Sequence, residues 1–376
     1  MNVERLDAAL EVRPSAWSRA LAAVRRWQAG PVLAAAALLV VVALVALTQG
    51  AAGIPPWTAL GLLVDRLPVV AIELDVPATW ERIVFDVRLP RVVAAGLVGA
   101  ALSFAGTSYQ GVFRNPLADP FLLGVASGAG FGAAIAIISP LPSGAYGFGW
   151  VPVFAFAGAL VTVTIVYLTS LSAPGTRSGA VTSGASQGAT LILAGVALSA
   201  VLSAGISFML LTGGERTQPI LSFIFGGFNT ASWERVWVAL PYMAAGGAVV
   251  WVHARVLNVL QLDREQAAQL GVSVTRSTLA VLAAASLMAA AAVAVAGIIG
   301  FVGLIVPHAC RMIVGWDHRR LLPVAALGGA SFLIAADVAS RTLLAPQEIP
   351  VGVLTAMLGG PFFLYLLRTR RVDGGR

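Results

Sequence analysis

The 376-residue chain contains no lysine; all 24 of its basic residues are arginine. A phosphate-binding loop of the G-x-x-x-x-G-K-S/T type needs that lysine, and so does Schiff-base chemistry, so both are excluded. If ATP drives this protein, another chain binds it. The single cysteine, Cys310, rules out an intrachain disulfide framework. Charge is scarce as well: charged residues make up 11 % of the chain, against roughly a quarter in a soluble domain. Three histidines with one cysteine form no arranged catalytic constellation, which argues against an intramembrane enzyme.

What fills the chain is apolar: 58 % of the residues are hydrophobic and the mean hydropathy is +0.88. Apolar runs near the ~20 residues that cross a bilayer lie at about 31–48, 90–113, 120–138, 151–171, 189–211, 233–257, 274–296, 299–314, 321–340 and 350–367. The fold class expected is therefore an all-α polytopic membrane protein of ten transmembrane helices in one continuous bundle. Residues 1–30 read as a cytoplasmic N-terminal extension, 31–368 as the membrane domain and 369–376 as a cytoplasmic tail. The basic lead and first apolar run are longer than a cleaved signal usually has, so the first helix is read as retained. Residues 53–86 are too charged to span and are placed on the outer surface, and 213–228 reads as a short re-entrant or surface helix.

Ten crossings put both termini on one side. Counted that way, 17 arginines fall inside and seven outside, which under the positive-inside rule gives N-in and C-in. The net charge of +7 sits in loops between apolar runs and does not call for nucleic acid.

The stretch 88–132 organises the bundle. Small residues recur every fourth position, at Ala95, Gly99, Ser103, Thr107 and Gly111, then at Gly124, Gly128 and Gly132. Such spacing lies on one helical face, and in lipid helices associate through close backbone approach across small residues. Gly99, Ser103, Gly124 and Gly128 are the expected packing positions.

Three features carry candidate chemistry. Residues 262–272, LDREQAAQLGV, read as a short capped helix: Asp263 as N-cap, Gln266 in a capping-box-like position, Gly271 at the left-handed C-terminal position. Ala267 and Ala268 would leave a shallow surface for a partner; the other reading is a solvated connector. Arg88, Arg91 and Arg341 are placed at the outer ends of spans, either to meet acidic residues of a docking protein or to anchor helix ends by snorkelling. In 296–323, Pro307 interrupts an apolar run, as in broken helices that line a path. His308 is read as bonded to the backbone that Pro307 frees, rather than as a metal ligand with Asp317 and His318. Asp337 is the one acid within a span, a functional candidate by default or a structural partner of Arg341 four residues on. A Gly/Ser-rich loop, 172–188, is flexible by composition.

RLPR at 88–91, FRNPLADPFLLG at 113–124, LAGVALS at 193–199, QLDREQAAQLGV at 261–272, GIIGFVGLIVPHACR at 297–311, DHRRLLP at 317–323 and EIPVGVLTAMLGGPFF at 348–363 resemble, in order, the permease subunits of the iron-chelate and cobalamin class of ABC importers. The resemblance covers about 88–367. It implies the type II importer fold, ten helices per subunit and a homodimer around a central pathway. It also implies two ATPase subunits that carry ATP-Mg, a periplasmic or lipid-anchored substrate-binding protein, and a cytoplasmic (inner) membrane location. No cofactor is expected on this chain, and it is expected to be a transport subunit rather than an enzyme.

By the same resemblance Asp263, Arg264, Glu265, Gln266, Ala267, Ala268, Leu270 and Gly271 belong to the coupling helix on the ATPases. Arg88, Arg91 and Arg341 match positions that meet the binding protein. The fifth span would line the pathway, and the loop before it, with Ser183 and Ser186, would gate its inner mouth. That loop is longer and richer in Gly and Ser than the family pattern. The expected function is import of an iron chelate, ferric siderophore or haem, by alternating access, with cobalamin as the alternative cargo. An ion-coupled secondary transporter is the alternative of another class.

Overall fold

The computed structural model describes residues 16–50, 52–66, 76–141, 149–172, 184–262 and 264–373. All regular structure among the described residues is helical. Helix α1 (Ala16–Thr48) is followed by the short α2 (Pro56–Asp65) and by α3 (Ala78–Phe113), which is π-helical over Ile83–Arg88. A 3-10 turn, Pro120–Leu123, leads into α4 (Val125–Ile138), then come α5 (Trp150–Ser172), α6 (Gly184–Thr212), α7 (Thr217–Phe225) and α8 (Trp233–Val252). The short α9 (Ala254–Val259) and α10 (Arg264–Gln269) precede α11 (Val274–Ala296), α12 (Val302–Val314), α13 (His318–Thr342) and α14 (Val351–Asp373).

Among the described residues seven helices, α1, α3, α5, α6, α8, α11 and α13, are long and apolar enough to cross a membrane, and α4, α12 and α14 are shorter apolar helices. Each apolar run of the sequence falls on one of them. Several boundaries differ from the sequence reading, and helix α3 begins at Ala78, inside the segment 53–86 placed on the outer surface. Helix α1 is continuous from Ala16 through Pro31, so no break separates an extension from the first span. Residues 213–228 contain a 3-10 turn, Gly214–Arg216, and then α7.

Hydropathy says which segments enter lipid; packing says which are inside. The apolar window of α11 is 78 % buried and those of α3 and α13 are 61 % buried, against 11 % for α1 and 17 % for α6. Helix α3 packs on α13, α11 and α12, while α4 pairs with α5 and α8 with α11. Alanine supplies most of the buried face of α11, from Ala284 to Ala296, so neighbours reach it from every side. One buried polar link ties it to α3, where the Tyr109 hydroxyl lies 2.6 Å from Ser286 Oγ.

The tightest contacts are backbone on backbone. A Cβ at Gly99 would lie 2.2 Å from the Gly329 carbonyl oxygen, and one at Gly329 would lie 2.3 Å from that of Gly99. Ser103 is buried on the same crossing, 2.5 Å from where a Gly329 Cβ would stand. A second crossing joins α3 to α12, with the Cβ position of Gly106 only 1.9 Å from the Gly303 carbonyl. On α4, Gly128 faces Gly158 of α5 in the same reciprocal way, at 2.5 and 2.3 Å. Gly124 opens α4 with φ +81°, a conformation that suits glycine.

The helix does not break at Pro307. It runs through it, and the non-helical stretch comes earlier, at 297–301. Proline has no N–H for the carbonyl four residues back, which is that of Gly303. Gln110 of α3 donates its Nε2 to this oxygen at 3.3 Å. The His308 ring packs edge-on to Phe362. The last turn of α7 and the residues just past it bond to the start of the 297–301 stretch: Gly227 N donates to Ala296 O, the last carbonyl of α11, at 2.8 Å, and Ile298 N to Phe223 O at 3.1 Å. Unwound backbone at membrane depth is tolerated where protein covers it in this way.

The glycine crossing gives a direct test. Gly99→Ala is expected to lower the thermal stability of the detergent-solubilised protein by about 1–3 kcal/mol, the cost of overpacking. Gly96→Ala, whose added Cβ would meet Ile334 Cδ1 at 3.4 Å, is expected to leave the melting temperature unchanged. Equal melting curves for the two variants would show that the crossing has slack.

Candidate coupling and docking sites

Functional groups gather at the two ends of α3. At its C-terminal end stands α10, six residues long, with Arg264 and Glu265 in its first turn. Its exit is a Schellman motif: Gly271 has φ +77°, Gly271 N donates to Ala268 O and Val272 N to Ala267 O. Asp263, read as its N-cap, lies outside the described residues. The exposed face is Gln266, Ala268, Gln269 and Leu270, the last 63 % exposed. Ala267 is buried, so of the two alanines only Ala268 faces outward. A helix one and a half turns long has a single outer face, and Ala267 lies on the other.

The segment before α10 is held from two sides. Arg114, which follows α3, donates its Nε to Leu260 O at 2.6 Å and its Nη2 to Leu262 O. Asn258 donates its Nδ2 to Asp317 Oδ1 at 2.7 Å, and its Oδ1 accepts from His318 N at 2.9 Å and Nδ1 at 2.8 Å. Asp317 also caps α13 by accepting from Arg319 N. Burial pushes the Asp317 carboxyl up. The Asn258 amide, the Arg319 N–H and the charges of Arg320 and Arg319 outweigh that and hold it below the usual carboxylate range.

In the turn between α3 and α4, Asp119 accepts from Phe121 N at 2.8 Å. Burial there pushes its carboxyl up to about 6 against the pull of that bond.

At the other end of α3 lie the three arginines read as outward-facing. The structure instead engages all three within the chain. Arg91 donates Nε to both oxygens of Asp337, at 3.0 and 3.1 Å, and grips Glu348 with Nη1 at 3.2 Å and Nη2 at 2.9 Å. Arg341 Nε pairs with Asp337 Oδ2 at 3.2 Å. Asp337 is 1 % exposed; its one carboxylate is shared by two guanidinium groups, with Glu348 the second acid on Arg91, and it is a structural acid here.

Arg88 and Arg341 also cap the end of α1, whose last carbonyls have no helical partner. Arg88 donates to Leu47 O at 2.8 Å and Ala52 O at 2.6 Å, and Arg341 donates to Gln49 O at 3.1 Å and Ala46 O at 3.3 Å. The side chain least enclosed in this network is Glu348, 41 % exposed. It edges a small polar cleft with Ser222, Asn229 and Ser340.

Of the expected gate serines, Ser183 lies outside the described residues and Ser186 falls in the first turn of α6. Among the described residues no three His, Cys, Asp or Glu side chains gather as a metal would require. Sequence reasoning missed Gln110, Asn258 and Glu348. Gln110 carried a signal, being a lone amide in an apolar run; Asn258 and Glu348 look like ordinary loop residues until the fold assigns their partners.

A bundle of long apolar helices with a short exposed helix at one end and a buried ion network at the other is that of a multi-pass membrane protein. The chain belongs to the FecCD transport family, whose family description matches residues 38–369. It is 44 % identical over 317 residues to the cobalamin import system permease of Halobacterium salinarum, covering 84 % of this chain and 80 % of that one. It is 40 % identical over 297 residues to the hemin transport system permease of Yersinia pestis, covering 78 % of this chain and 85 % of that one. A solved structure described as an inward-facing metal-chelate type ABC transporter superposes with a TM-score of 0.74 at 31 % identity, over 90 % of this chain and 98 % of the other. The fold is thus that of a type II ABC importer permease, a membrane transport subunit whose ATP hydrolysis is carried by separate subunits.

Two tests follow from the ends of α3. Asp337→Asn would leave Arg341 buried without a carboxylate and Arg91 with Glu348 alone, and a loss of about 3–5 kcal/mol of stability is expected. Glu348→Gln, at a partly exposed site, is expected to cost less than about 1 kcal/mol. Thermal melts of the two purified variants decide it, and equal losses would contradict the assigned roles. For Asp119, folding favours the protonated form. Its contribution to stability is complete below the unfolded value near ~4 and is lost as pH rises through about 6. Asp119→Asn, which can still cap Phe121 N, is expected to flatten the melting temperature across that window.

Proposed function

We propose that this permease works as a homodimer, N-in and C-in with ten crossings per subunit, and imports a bulky metal chelate by alternating access. The observation that carries the reading is α10: a short helix closed by a Schellman turn, whose outer face is Gln266, Ala268, Gln269 and Leu270 and whose preceding segment is held to the ends of α3 and α13. It serves as the coupling helix on two ATPase subunits that carry ATP-Mg. A periplasmic or lipid-anchored binding protein delivers cargo at the Arg91 end. With Arg88, Arg91 and Arg341 engaged inside the chain, docking there draws on the exposed rim of their network. The exposed apolar face of α6, with Leu193, Val201 and Phe208 each about two-thirds exposed (68, 67 and 67 %), lines the pathway or meets the second subunit.

The first cargo reading is an iron chelate, haem or a ferric siderophore. The second is cobalamin, favoured by the identity to the Halobacterium salinarum permease. Both are metal chelates too large for an ion site, which suits a wide and weakly binding route. Ion-coupled secondary transport would need an available intramembrane acid, and Asp337 is held by two guanidinium groups.

The test is uptake into proteoliposomes holding the permease with its ATPase and binding protein. Haem, a ferric siderophore and cobalamin are offered in turn. ATP-dependent uptake of one of them, lost on replacing Glu265 and Gln266 together by alanine, is the expected outcome. An assembled complex that takes up none of them with ATP would return the reading to a secondary transporter.

A further inference from the structure

Residues 260–262, between α9 and α10, are not helical, and a flexible connector would absorb any movement of α10. This one is clamped. Arg114 bonds the carbonyls of Leu260 and Leu262. In the opposite direction Gln261 Nε2 donates to Gly111 O, in the last turn of α3, at 2.8 Å. Asn258 faces the first residues of α13 with both ends of its amide: Nδ2 to Asp317, Oδ1 to the backbone and ring of His318. Since that oxygen only accepts, the His318 proton sits on Nδ1. The ring is 1 % exposed. Its other nitrogen fills the notch at Gly111, 2.7 Å from where a Cβ there would stand.

The backbone bears the mark of this arrangement. Arg114 has φ +49°, a left-handed conformation that a non-glycine residue adopts at a cost. It places the guanidinium across the two carbonyls just ahead of α10. Beyond the clamp, α3 and α13 touch backbone to backbone at Gly99 and Gly329, so a displacement delivered at residue 262 reaches both helices with little slack.

We infer that Arg114, with the Asn258–Asp317–His318 cluster, is the latch that transmits movement of α10 to α3 and α13, so that Arg114 and Asn258 are positioning residues for ATP-coupled transport. The inference rests on the reading of α10 as coupling helix. Without the latch, α10 still meets the ATPase and hydrolysis continues, but the bundle does not follow.

The experiment measures ATP hydrolysis and cargo uptake on the same reconstituted complex, with co-elution of permease and ATPase recorded for each variant. Arg114→Gly keeps the left-handed backbone, which glycine adopts readily, and deletes the donors. Asn258→Asp sets a carboxylate against Asp317, and adding Asp317→Asn to it removes that repulsion and lets the new amide at position 317 donate to the new carboxylate at 258, giving up the Arg319 N contact that shares the same oxygen. The expected result is ATP hydrolysis within about twofold of wild type and cargo per ATP reduced about tenfold in Arg114→Gly and Asn258→Asp, as for loss of a bond to a charged group. Cargo per ATP recovers in the double variant.

Wild-type cargo per ATP in both single variants would overturn the latch, and so would a parallel loss of hydrolysis and uptake. An Asn258→Asp defect that Asp317→Asn does not relieve would overturn it as well. If Arg114→Gly fails to assemble, the Asn258 and Asp317 pair decides alone. A wild-type complex with no ATP-dependent uptake of any cargo would instead overturn the proposed function.

Discussion

Everything in this bundle depends on two helices meeting with nothing between them. Gly99 of α3 and Gly329 of α13 each stand where a single added carbon would overlap the other's carbonyl oxygen. Lipid offers little hydrophobic drive for helices to associate, so van der Waals contact at close range has to do it. The same device recurs at Gly106 with Gly303 and at Gly128 with Gly158. The first two crossings set α13 and α12 directly against α3, and the third sets α5 against α4. They also make the bundle stiff, and a stiff bundle is what a transport subunit moved from outside requires.

Close approach creates a second demand, because polar groups trapped in it must be satisfied. Pro307 withholds an N–H from the Gly303 carbonyl, and Gln110 answers from α3, with its own oxygen accepting from Arg311 Nη2 at 2.7 Å. The end of α1 leaves carbonyls open, and Arg88 and Arg341 close them. Three guanidinium groups at one end of α3 are then held by carbonyls and two carboxylates, and at the other end Arg114 reaches carbonyls again. Arginine suits all these tasks because its planar fork donates in several directions at once and stays charged. A chain without lysine is consistent with cations that hold geometry.

Arg88, Arg91 and Arg341 show where reading along the sequence reaches its limit. Their position at helix ends was legible, since charge next to an apolar run has few places to go. Their partners were not. Arg91 meets Asp337 and Glu348 across 246 and 257 residues of chain, and no local pattern encodes such pairings. Asp337 with Arg341, four residues apart on one helix, was within reach of helical periodicity. The inward turn of Ala267, and the notch at Gly111 that receives His318, depend on how α10 and α13 seat against their neighbours.

By itself the sequence determined that this is a helical membrane protein, where its apolar segments lie, that it has no lysine-dependent phosphate loop, and which family pattern it carries. Those properties follow from composition and short-range order: hydropathy over about 20 residues decides what enters lipid, and a missing residue type is missing everywhere. The tertiary structure decided which helices are interior, where the chain unwinds, which arginines are tied down, and what grips the segment before α10. Each of these is a contact between segments far apart in the chain. Its energy comes from distance and geometry, which only the packed bundle supplies.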